Sequence, residues 1–532
     1  MKQSSLVLSL AVVAMAGSAV RALPFYSPDY TFDSTTWTGF FFNGGVGVTP
    51  DGRAVSNIQH YLPDDQSTNL IAIWRGQTAL PLPQDGSGHL NPGFRGMSRN
   101  GWICGFTEQV PHTAWLPALW RPDGSRIDLP LIPASLDSIQ GNDQQGAAND
   151  VNETGIAVGF SYRTYTEPRP VYWTTSAEIV ELANPFVSSN QYWEGYANSI
   201  SSTGIIAGKV SKAGRWHAMR WDVNGTAPIL SQTTDTGITF TRRTEAFKSL
   251  DDGTILGWGS IVDHSYYGVL WTPDGDAIDL RALPDSNSQL SRSAYAVNNN
   301  HYSAGISYNP LGHAVGTRWS PTGEPFALDR LADAPSDALD SAEGINDFNF
   351  VVGSSWNGVT TRAVLWTPDG DAIEMQSLID SDEWSFYRAI TITNTGWIAG
   401  IGRFDPSGPA ETYDRPFSIL VPFAGTYGMG DANFDESIDF ADLLIVAQHY
   451  ASSTGGSFDA GDFNLDGVVD FTDLLAIAQN YGDVLGDSIA LLPEGVNPTF
   501  TSDWQTARAM VPEPGAIGAL IGIGVMSRRR PR

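Results

Sequence analysis

Two acidic loops, residues 431–442 and 462–473, carry oxygen-bearing side chains at the spacing that a bound calcium ion requires. Such side chains stand at positions 1, 3, 5, 9 and 12 of each loop, and position 7 contributes a backbone carbonyl. The predicted ligands are Asp431, Asn433, Asp435, Ser437, Asp439, Asp442, Asp462, Asn464, Asp466, Val468, Asp470 and Asp473. Because Ca²⁺ takes about six to eight oxygen ligands, and because clustered carboxylates repel one another without a cation, the pattern predicts two Ca²⁺ sites that metal orders.

The two loops differ at position 6, where the chain must turn sharply. The second loop has Gly467 there, which accepts a positive φ without strain. The first has Glu436, for which the same conformation costs roughly 1 kcal/mol. The sequence therefore predicts that the second site binds Ca²⁺ more tightly than the first.

A short apolar helix is predicted directly after each loop, over 442–450 and 473–481. Leu, Ala and Tyr recur there at spacings of three and four, which gives each helix one apolar face. The two copies of loop and helix are 31 residues apart and nearly identical. We expect the two faces to pack together as a small helical calcium domain over 428–482.

This segment resembles a type I dockerin, because both loops end in Asp where an ordinary EF-hand has Glu and because the spacing of the copies fits. The resemblance implies Ca²⁺ as the cofactor and a cohesin-like protein as the partner of 428–482. It also implies recognition positions just before the last loop residue, which here are Phe440-Ala441 and Phe471-Thr472 instead of the familiar Ser-Thr pair. Dockerins often carry polysaccharide-degrading enzymes, although the loops alone imply no such activity.

The composition favours divalent cations and argues against nucleic acid as a partner. The chain has 532 residues, with 58 Asp+Glu against 30 Lys+Arg and a formal net charge of −28. Phosphate binding needs clustered Lys and Arg, which this balance does not offer. The single cysteine, Cys104, lies in an apolar run, so we expect an inert core thiol and no intramolecular disulfide.

Most of the chain is a repeat with a period of about 48 residues. One phrase, typified by 150–159, ends in a glycine and recurs throughout, with a degenerate copy over 47–57. The clear copies end at Gly105, Gly159, Gly208, Gly257, Gly305, Gly353 and Gly400. An aromatic residue follows each copy, at Trp74, Trp120, Trp173, Trp221, Trp271, Trp319, Trp366 and, in the eighth, Phe417.

Each repeat indicates four short strands joined by turns rich in Pro and Gly, with no sustained helical period. A single unit of this kind cannot bury both faces, whereas closing a ring buries them and protects the edges. The sequence therefore predicts a mainly β protein, with an eight-bladed β-propeller over 23–425 followed by the small helical calcium domain. Seven blades is the close alternative, and a β-solenoid, whose coils are normally shorter, is the more distant one.

The repeats resemble the bacterial HAF-type extracellular repeats, whose mark is a His-Ala-aromatic step ahead of the tryptophan, and this chain keeps the His-Ala part of that step twice. The two copies are His217-Ala218 and His313-Ala314. The resemblance covers about 40 to 420. It implies an exported, propeller-like domain and implies no activity.

No motif in the propeller selects a reaction, and we predict no catalytic residue. The sequence has no His-Glu-x-x-His, no Gly-x-Ser-x-Gly and no phosphate-binding loop ending in Lys-Ser/Thr. No carboxylate pair suited to glycoside hydrolysis stands out either. Tryptophans outside the repeated position indicate either a shallow surface for a carbohydrate or protein ligand or side chains that fill gaps between blades. These are Trp115, Trp193, Trp216, Trp258, Trp356 and Trp384.

Both ends of the chain carry predicted targeting segments. Residues 1–22 have the basic start, short apolar core and small-residue exit of a signal peptide, with cleavage after Ala19 or Ala22. Residues 483–510 read as a linker. The tail over 511–532 contains Pro-Glu-Pro, then an apolar run, then an arginine cluster. In this order of segments it resembles a PEP-CTERM sorting signal. That resemblance implies recognition by envelope sorting machinery.

These features predict an exported protein at the cell surface, in the envelope or outside the cell. We expect its propeller to bind or display without catalysis, and its dockerin-like segment to dock in a calcium-dependent way. The alternative is a polysaccharide-degrading enzyme, either a glycoside hydrolase or a lyase, or an accessory protein delivered by the same segment. A convergent carboxylate pair in a cleft at the propeller mouth would favour that alternative.

Overall fold

The computed structural model describes the residues in the following ranges, and all structural statements refer to them. They are 21–24, 46–50, 52–61, 67–75, 78–82, 90–109, 114–133, 145–164, 167–186, 192–223, 230–262, 266–284, 291–335, 337–379, 384–404, 413–421, 430, 432, 438–451, 461, 463, 468–480 and 499–510. The chain divides into two compact units, Met1–Ala424 and Gly425–Arg532.

The first unit contains eight antiparallel sheets, which are the blades of a propeller. Blade 1 holds β2 (Val46–Val48), β3 (Ala54–Tyr61), β4 (Ser67–Arg75) and β5 (Thr78–Pro81). Blade 2 holds β6 (Leu90–Met97), β7 (Ile103–Gln109), β8 (Ala114–Trp120) and β9 (Arg126–Asp128). Blade 3 holds β10 (Gly146–Val151), β11 (Ala157–Tyr162), β12 (Pro168–Trp173) and β13 (Ile179–Glu181). Blade 4 holds β14 (Gly195–Ile200), β15 (Ile205–Lys212) and β16 (Arg215–Asp222).

The remaining blades continue this order. Blade 5 holds β17 (Arg243–Ser249), β18 (Ile255–Ser260), β19 (Tyr267–Trp271) and β20 (Ala277–Asp279). Blade 6 holds β21 (Ser293–Val297), β22 (Ser303–Tyr308), β23 (Ala314–Trp319) and β24 (Pro325–Ala327). Blade 7 holds β25 (Asp340–Ile345), β26 (Val351–Trp356), β27 (Thr361–Trp366) and β28 (Ala372–Glu374), with a 3₁₀ turn after it at Met375–Leu378. Blade 8 holds β29 (Trp384–Ile392), β30 (Trp397–Phe404), β31 (Tyr413–Leu420) and β1 (Arg21–Pro24).

Eight sheets confirm the predicted eight-bladed propeller, and the seven-bladed alternative is wrong. The eighth blade combines both ends of the unit, because β1 pairs antiparallel with β31. The Thr395 hydroxyl of blade 8 also donates a hydrogen bond of 2.6 Å to the Pro50 carbonyl of blade 1. The ring therefore closes through contacts between residues that are more than 300 positions apart in the sequence.

The glycine that ends the repeated phrase is explained by a bulge in the first strand of the blade. In blades 2 to 8 the first strand has an extra residue where it pairs with the second, as at Asn149 between Ala148 and Asp150. The bulge brings a first-strand carbonyl against the second strand. A Cβ on Gly257, for example, would collide with the carbonyl oxygen of Glu245. The repeated glycine is thus a requirement of close backbone approach.

In blades 3 to 7 the repeated tryptophan joins each blade to the blade before it. Trp271 is fully buried, and its indole N–H donates a 2.8 Å hydrogen bond to the carbonyl of Ser231, which follows blade 4. The same bond links Trp173 to Pro130, Trp221 to Ala183, Trp319 to Arg281 and Trp366 to Asp329. A buried indole needs a partner for its N–H, so the position combines a large apolar contact with one fixed hydrogen bond. The core consequently lies between blades.

The described residues of the second unit form three helices, α1 (Phe440–His449), α2 (Phe471–Asn480) and α3 (Phe500–Met510). Leu443, Val446 and Ala447 of α1 are buried at helical spacing, and the same three positions are buried in α2. This arrangement matches the apolar faces predicted for the two helices. The helix α3 lies within 483–510, a stretch predicted to be a linker. The structure differs from that prediction, since Phe500 and Trp504 are fully buried in the core shared with α1 and α2.

Candidate functional site

The structure describes five of the twelve predicted calcium ligands, namely Asp439, Asp442, Val468, Asp470 and Asp473. The other seven, Asp431, Asn433, Asp435, Ser437, Asp462, Asn464 and Asp466, lie outside the described residues, as do Glu436 and Gly467. Among the described residues alone, no three acidic, histidine or cysteine side chains are grouped as a metal site. The described residues therefore cover position 2 and positions 8 to 12 of the first loop, and position 2 and positions 7 to 12 of the second.

The aspartate at position 12 of each loop is buried and holds the two ends of the loop together. Asp442 is 0% exposed; its Oδ1 accepts from the Ala432 N–H at 2.7 Å, and its Oδ2 accepts from the Asp439 N–H at 2.8 Å. A carboxylate has about four lone-pair sites, so these two bonds leave capacity for a cation. The first loop is thus closed on the residue that the calcium pattern requires at its end.

The second loop repeats this arrangement. Asp473 is 1% exposed, and its two oxygens accept from the N–H groups of Phe463 at 2.8 Å and of Asp470 at 2.9 Å. The segment 428–482 contains ten Asp+Glu and no Lys or Arg. Burying an ionised carboxylate is costly unless hydrogen bonds and an opposite charge compensate it. The donor set therefore fits a divalent cation that prefers oxygen ligands.

Helices α1 and α2 position these aspartates. In α1 the Asp439 side chain caps the helix by accepting from Ala441 N–H at 2.8 Å, and Asp442 completes the capping box. The Asp470 side chain accepts from Thr472 N–H at 2.8 Å at the start of α2. Of the predicted recognition positions, Ala441 and Thr472 are exposed, whereas the phenylalanine before each packs against the core.

A polar and aromatic cleft of about 590 Å³ opens in the propeller across blades 2 to 5. It is lined by Arg95, Trp115, Asn149, Phe160, Tyr162, Tyr196, Asn198, Lys209, Glu245 and Phe247. Arg95, Asn149, Asn198 and Phe247 are the bulge residues of four first strands, each ten residues before the glycine that ends the repeated phrase. The bulge therefore places side chains of different types at the same backbone position in four successive blades.

The cleft walls are cross-linked by hydrogen bonds and by contacts between cations and rings. The amides of Asn149 and Asn198 each donate a 2.8 Å bond to a carbonyl of the following blade. Lys209 Nζ lies 2.9 Å from Glu245 Oε1 and 5.0 Å from the centre of the Trp216 ring. Burial raises the pKa of Tyr196, and its hydrogen bond with Tyr162 acts in the same direction, so the phenol stays protonated.

Sequence reasoning found only part of this cleft. Trp115 and Trp216, noted as tryptophans off the repeated position, line it or border it, but Trp193 and Trp384 are buried at 5% and 4% exposure and fill the interior. The sequence does not predict Arg95, Lys209 or Glu245 as site residues. The sequence does contain a feature that points to Arg95. The residue ten positions before the glycine that ends the repeated phrase changes type from repeat to repeat, and Arg95 occupies that position.

Residues 429–481 match the family model of the dockerin type I domain. The predicted dockerin-like domain is thereby confirmed. Domains of this family bind calcium and typically bind cohesins, and they occur in extracellular or cell-surface proteins. The resemblances to HAF repeats and to a PEP-CTERM tail stay predictions, as does the signal peptide. In the described part of the chain, no helix has the length and apolar character needed to cross a membrane.

Several solved structures are similar to part of this chain at low identity. The β-propeller domain of the Trilobed protease from Pyrococcus furiosus is 11% identical with a TM-score of 0.35, over 65% of this chain and 98% of that one. Porphyromonas gingivalis dipeptidyl peptidase 4 is 10% identical with a TM-score of 0.41, over 68% and 59%. TolB from Acinetobacter baumannii is 12% identical with a TM-score of 0.28, over 50% and 60%, so the chain spans less than two thirds of it. None of the curated proteins compared with the chain matches it.

Proposed function

We propose that this chain is an exported binding protein, in which a dockerin segment fixes a ligand-binding propeller to a cohesin-type partner when calcium is present. The observation that carries the docking half is the duplicated position 12, where Asp442 and Asp473 are buried and close their loops in the same way. Two such loops in one dockerin segment support two Ca²⁺ sites. Calcium would hold the loops and so set the exposed starts of α1 and α2.

The binding half of the proposal is supported by the chemistry of the cleft. Its walls combine aromatic rings, two cations and amide groups, which suits recognition of a polar ligand. Glu245 is the one carboxylate among the described lining residues, and it is ion-paired with Lys209. The convergent carboxylate pair that would favour a glycoside hydrolase is not formed by these residues.

A pull-down of the full chain tests the docking half. Immobilised type I cohesins are incubated with the chain in Ca²⁺, in EGTA, and in EGTA followed by excess Ca²⁺. We expect capture only with Ca²⁺ and recovery on its return. The Asp442→Ala/Asp473→Ala double variant should lose capture, whereas Asp369→Ala, at an exposed turn of blade 7, should keep it. Capture that persists in EGTA or in the double variant would contradict the proposal.

A polysaccharide-degrading activity is the second candidate, and Glu245 in the aromatic cleft is the observation that favours it. Release of reducing ends from polysaccharides by the full chain, lost in Glu245→Gln, would support it. Binding of a polysaccharide without any release of reducing ends would support the non-enzymatic propeller instead.

A further inference from the structure

The cation at one end of the cleft is held on an aromatic platform. The rings of Phe106 and Trp115 are stacked, with centroids 4.7 Å apart and planes inclined by 25°. The guanidinium carbon of Arg95 lies 5.4 Å from the first ring centre and 5.8 Å from the second. Both distances lie within the range of a cation–π contact, and the planar guanidinium carries several N–H donors that suit a planar acceptor such as a carboxylate. Arg95 is exposed, and Trp115 retains 36% exposure, so a ligand can reach both.

The charges of the cleft run against those of the whole chain. Arg95 and Lys209 are its two cations, and Glu245, 2.9 Å from Lys209, is its one anion among the described lining residues. The chain as a whole has a formal net charge of −28. A concave site of opposite sign to its surroundings concentrates the field on a bound anion. An anionic group on the ligand, placed at Arg95, is the complement that this site lacks.

The other lining groups suit a sugar ring. Trp115 offers a partly exposed apolar face, and Asn149 and Asn198 carry amide oxygens that can accept hydrogen bonds from hydroxyls. Their amide nitrogens already donate to the neighbouring blades, which fixes the two side chains before any ligand arrives. An acidic peptide could pair with Arg95, but it has fewer hydroxyl groups to donate hydrogen bonds to the amide oxygens of Asn149 and Asn198.

We propose that the cleft across blades 2 to 5 binds an anionic glycan, with Arg95 paired to the carboxylate of a uronate residue and Trp115 stacked on a sugar face. The inference rests on the ligand-binding half of the proposed function and is independent of the docking half. It names the substrate class of that cleft. The carboxylate and the planar guanidinium can form two parallel hydrogen bonds, which a neutral sugar cannot.

Calorimetric titration of the full chain tests the inference. The probes are hexamers of galacturonate and of mannuronate, a neutral glucose hexamer, and poly-glutamate. We expect at least one uronate hexamer to bind, and to bind more weakly as salt is added. Arg95→Gln should weaken that binding by about 10-fold to 100-fold, because a charge-assisted bond is lost. Trp115→Ala should weaken it by about 10-fold.

Matched substitutions outside the cleft serve as controls. Arg215→Gln removes one charge at an exposed position of β16, and Phe326→Ala removes a 44% exposed ring of β24 over which Arg318 lies. Both should bind the uronate as the unaltered chain does. All four variants should keep the same thermal unfolding temperature within a few degrees, so that a loss of binding reports on the cleft.

Several results would overturn the inference. If neither uronate hexamer binds, or if the neutral hexamer binds equally well, an anionic glycan is not the ligand of the cleft. In the second case the propeller would still be a ligand-binding domain. Equal or stronger binding of poly-glutamate would assign the cleft to an acidic peptide. Uronate binding that survives both Arg95→Gln and Trp115→Ala would place the ligand elsewhere on the propeller. The cohesin pull-down reports on the docking half separately, whatever these titrations show.

Discussion

At the scale of single residues, the two calcium loops share their last position and differ in the middle. Asp442 and Asp473 each accept from the backbone N–H groups at positions 2 and 9 of their own loop, so the two loops are closed alike. Position 6, with Glu436 in one loop and Gly467 in the other, lies outside the described residues. The inequality of the two sites therefore stays a prediction from sequence, argued from the φ that the turn demands.

Replacing Glu436 by Gly should tighten the weaker calcium site. The reason is conformational, because a positive φ that costs roughly 1 kcal/mol for Glu costs little for Gly, and this corresponds to about fivefold in affinity. Titration calorimetry of the full chain measures both sites. Glu436→Ala is the control, since it removes the charge but keeps the Cβ, and it should not tighten the site. Equal sites in the unaltered chain, or equal gains from Ala and Gly, would refute the backbone explanation.

Another residue-scale expectation concerns Cys104, which is fully buried between blades 2 and 3. Burial raises the pKa of its thiol well above the ordinary value, and the nearby carboxylate of Asp150 acts in the same direction. Since the thiolate is the reactive form, the native chain should not react with a thiol reagent such as dithionitrobenzoate. One equivalent should react after unfolding in guanidinium. Rapid reaction of the folded chain would contradict both the burial and the predicted inert thiol.

At the scale of elements, each of blades 3 to 7 is specified by a bulge, a glycine and a tryptophan. The bulge in the first strand brings backbone against the glycine of the second, and the tryptophan of the third strand reaches the preceding blade. In blade 5 these residues are Gly257 and Trp271, and a Cβ added to Gly257 would lie only 2.6 Å from the Trp271 ring. The period of about 48 residues in the sequence therefore reflects one set of contacts, between bulge, glycine and tryptophan, that recurs from blade to blade.

Gly257→Ala should destabilise the propeller, whereas Gly316→Ala should not. A Cβ at Gly257 collides with backbone that cannot move independently, so we expect a loss of about 1–3 kcal/mol in the free energy of unfolding. A Cβ at Gly316 meets its nearest neighbour, Trp366, at an ordinary 3.5 Å. Urea titration of the two variants followed by tryptophan fluorescence measures the difference. Equal effects would show that the close approach is not what requires glycine.

The helix α3 is an element that the predicted linker did not contain. Trp504 is fully buried in the core of the second unit, and Asp503 accepts a 2.9 Å hydrogen bond from the Tyr450 hydroxyl at the end of α1. Trp504→Ala should therefore lower the free energy of unfolding of this unit by about 3–5 kcal/mol, and calorimetry of the calcium-loaded chain measures it. Gln505→Ala, exposed on the same helix, should have little effect. An unchanged transition in Trp504→Ala would show that α3 adds nothing to this core.

At the scale of the whole molecule, the chain has two compact units with separate cores, and only one contains the calcium loops. A ligand that binds the folded form stabilises it in proportion to the logarithm of its free concentration over its dissociation constant. Calcium should therefore act on the unit Gly425–Arg532 and leave the propeller unaffected. The ring closure between β1 and β31 and the contacts between blades involve no metal ligand among the described residues.

Differential scanning calorimetry of the full chain should show two transitions, of which only one depends on calcium. With Ca²⁺ at about 100 times the dissociation constant, the second unit gains about 2.7 kcal/mol per site, and EGTA removes this gain. The Asp442→Ala/Asp473→Ala variant should behave in Ca²⁺ as the unaltered chain behaves in EGTA. A propeller transition that shifts equally with calcium would contradict the assignment of the metal to one unit.

The sequence alone determined the features that repeat or that lie within a few residues of one another. These are the repeated blade unit, read from the periodic glycine and tryptophan, and the two loops with their helices, read from acidic residues at fixed spacing. Local geometry decides both, since a loop of twelve residues or a strand pair is built from neighbours in the chain. The sequence did not decide whether seven or eight blades close the ring.

Only the tertiary structure decided the features that join distant residues. The cleft brings together Arg95, Lys209 and Glu245, which come from three different blades, and β1 completes blade 8 from the opposite end of the unit. Likewise α3 is weakly apolar overall, and only the core formed by α1 and α2 explains why Phe500 and Trp504 are buried. The physical reason is that these contacts follow from how rigid units pack, and no local period in the chain records which units will meet.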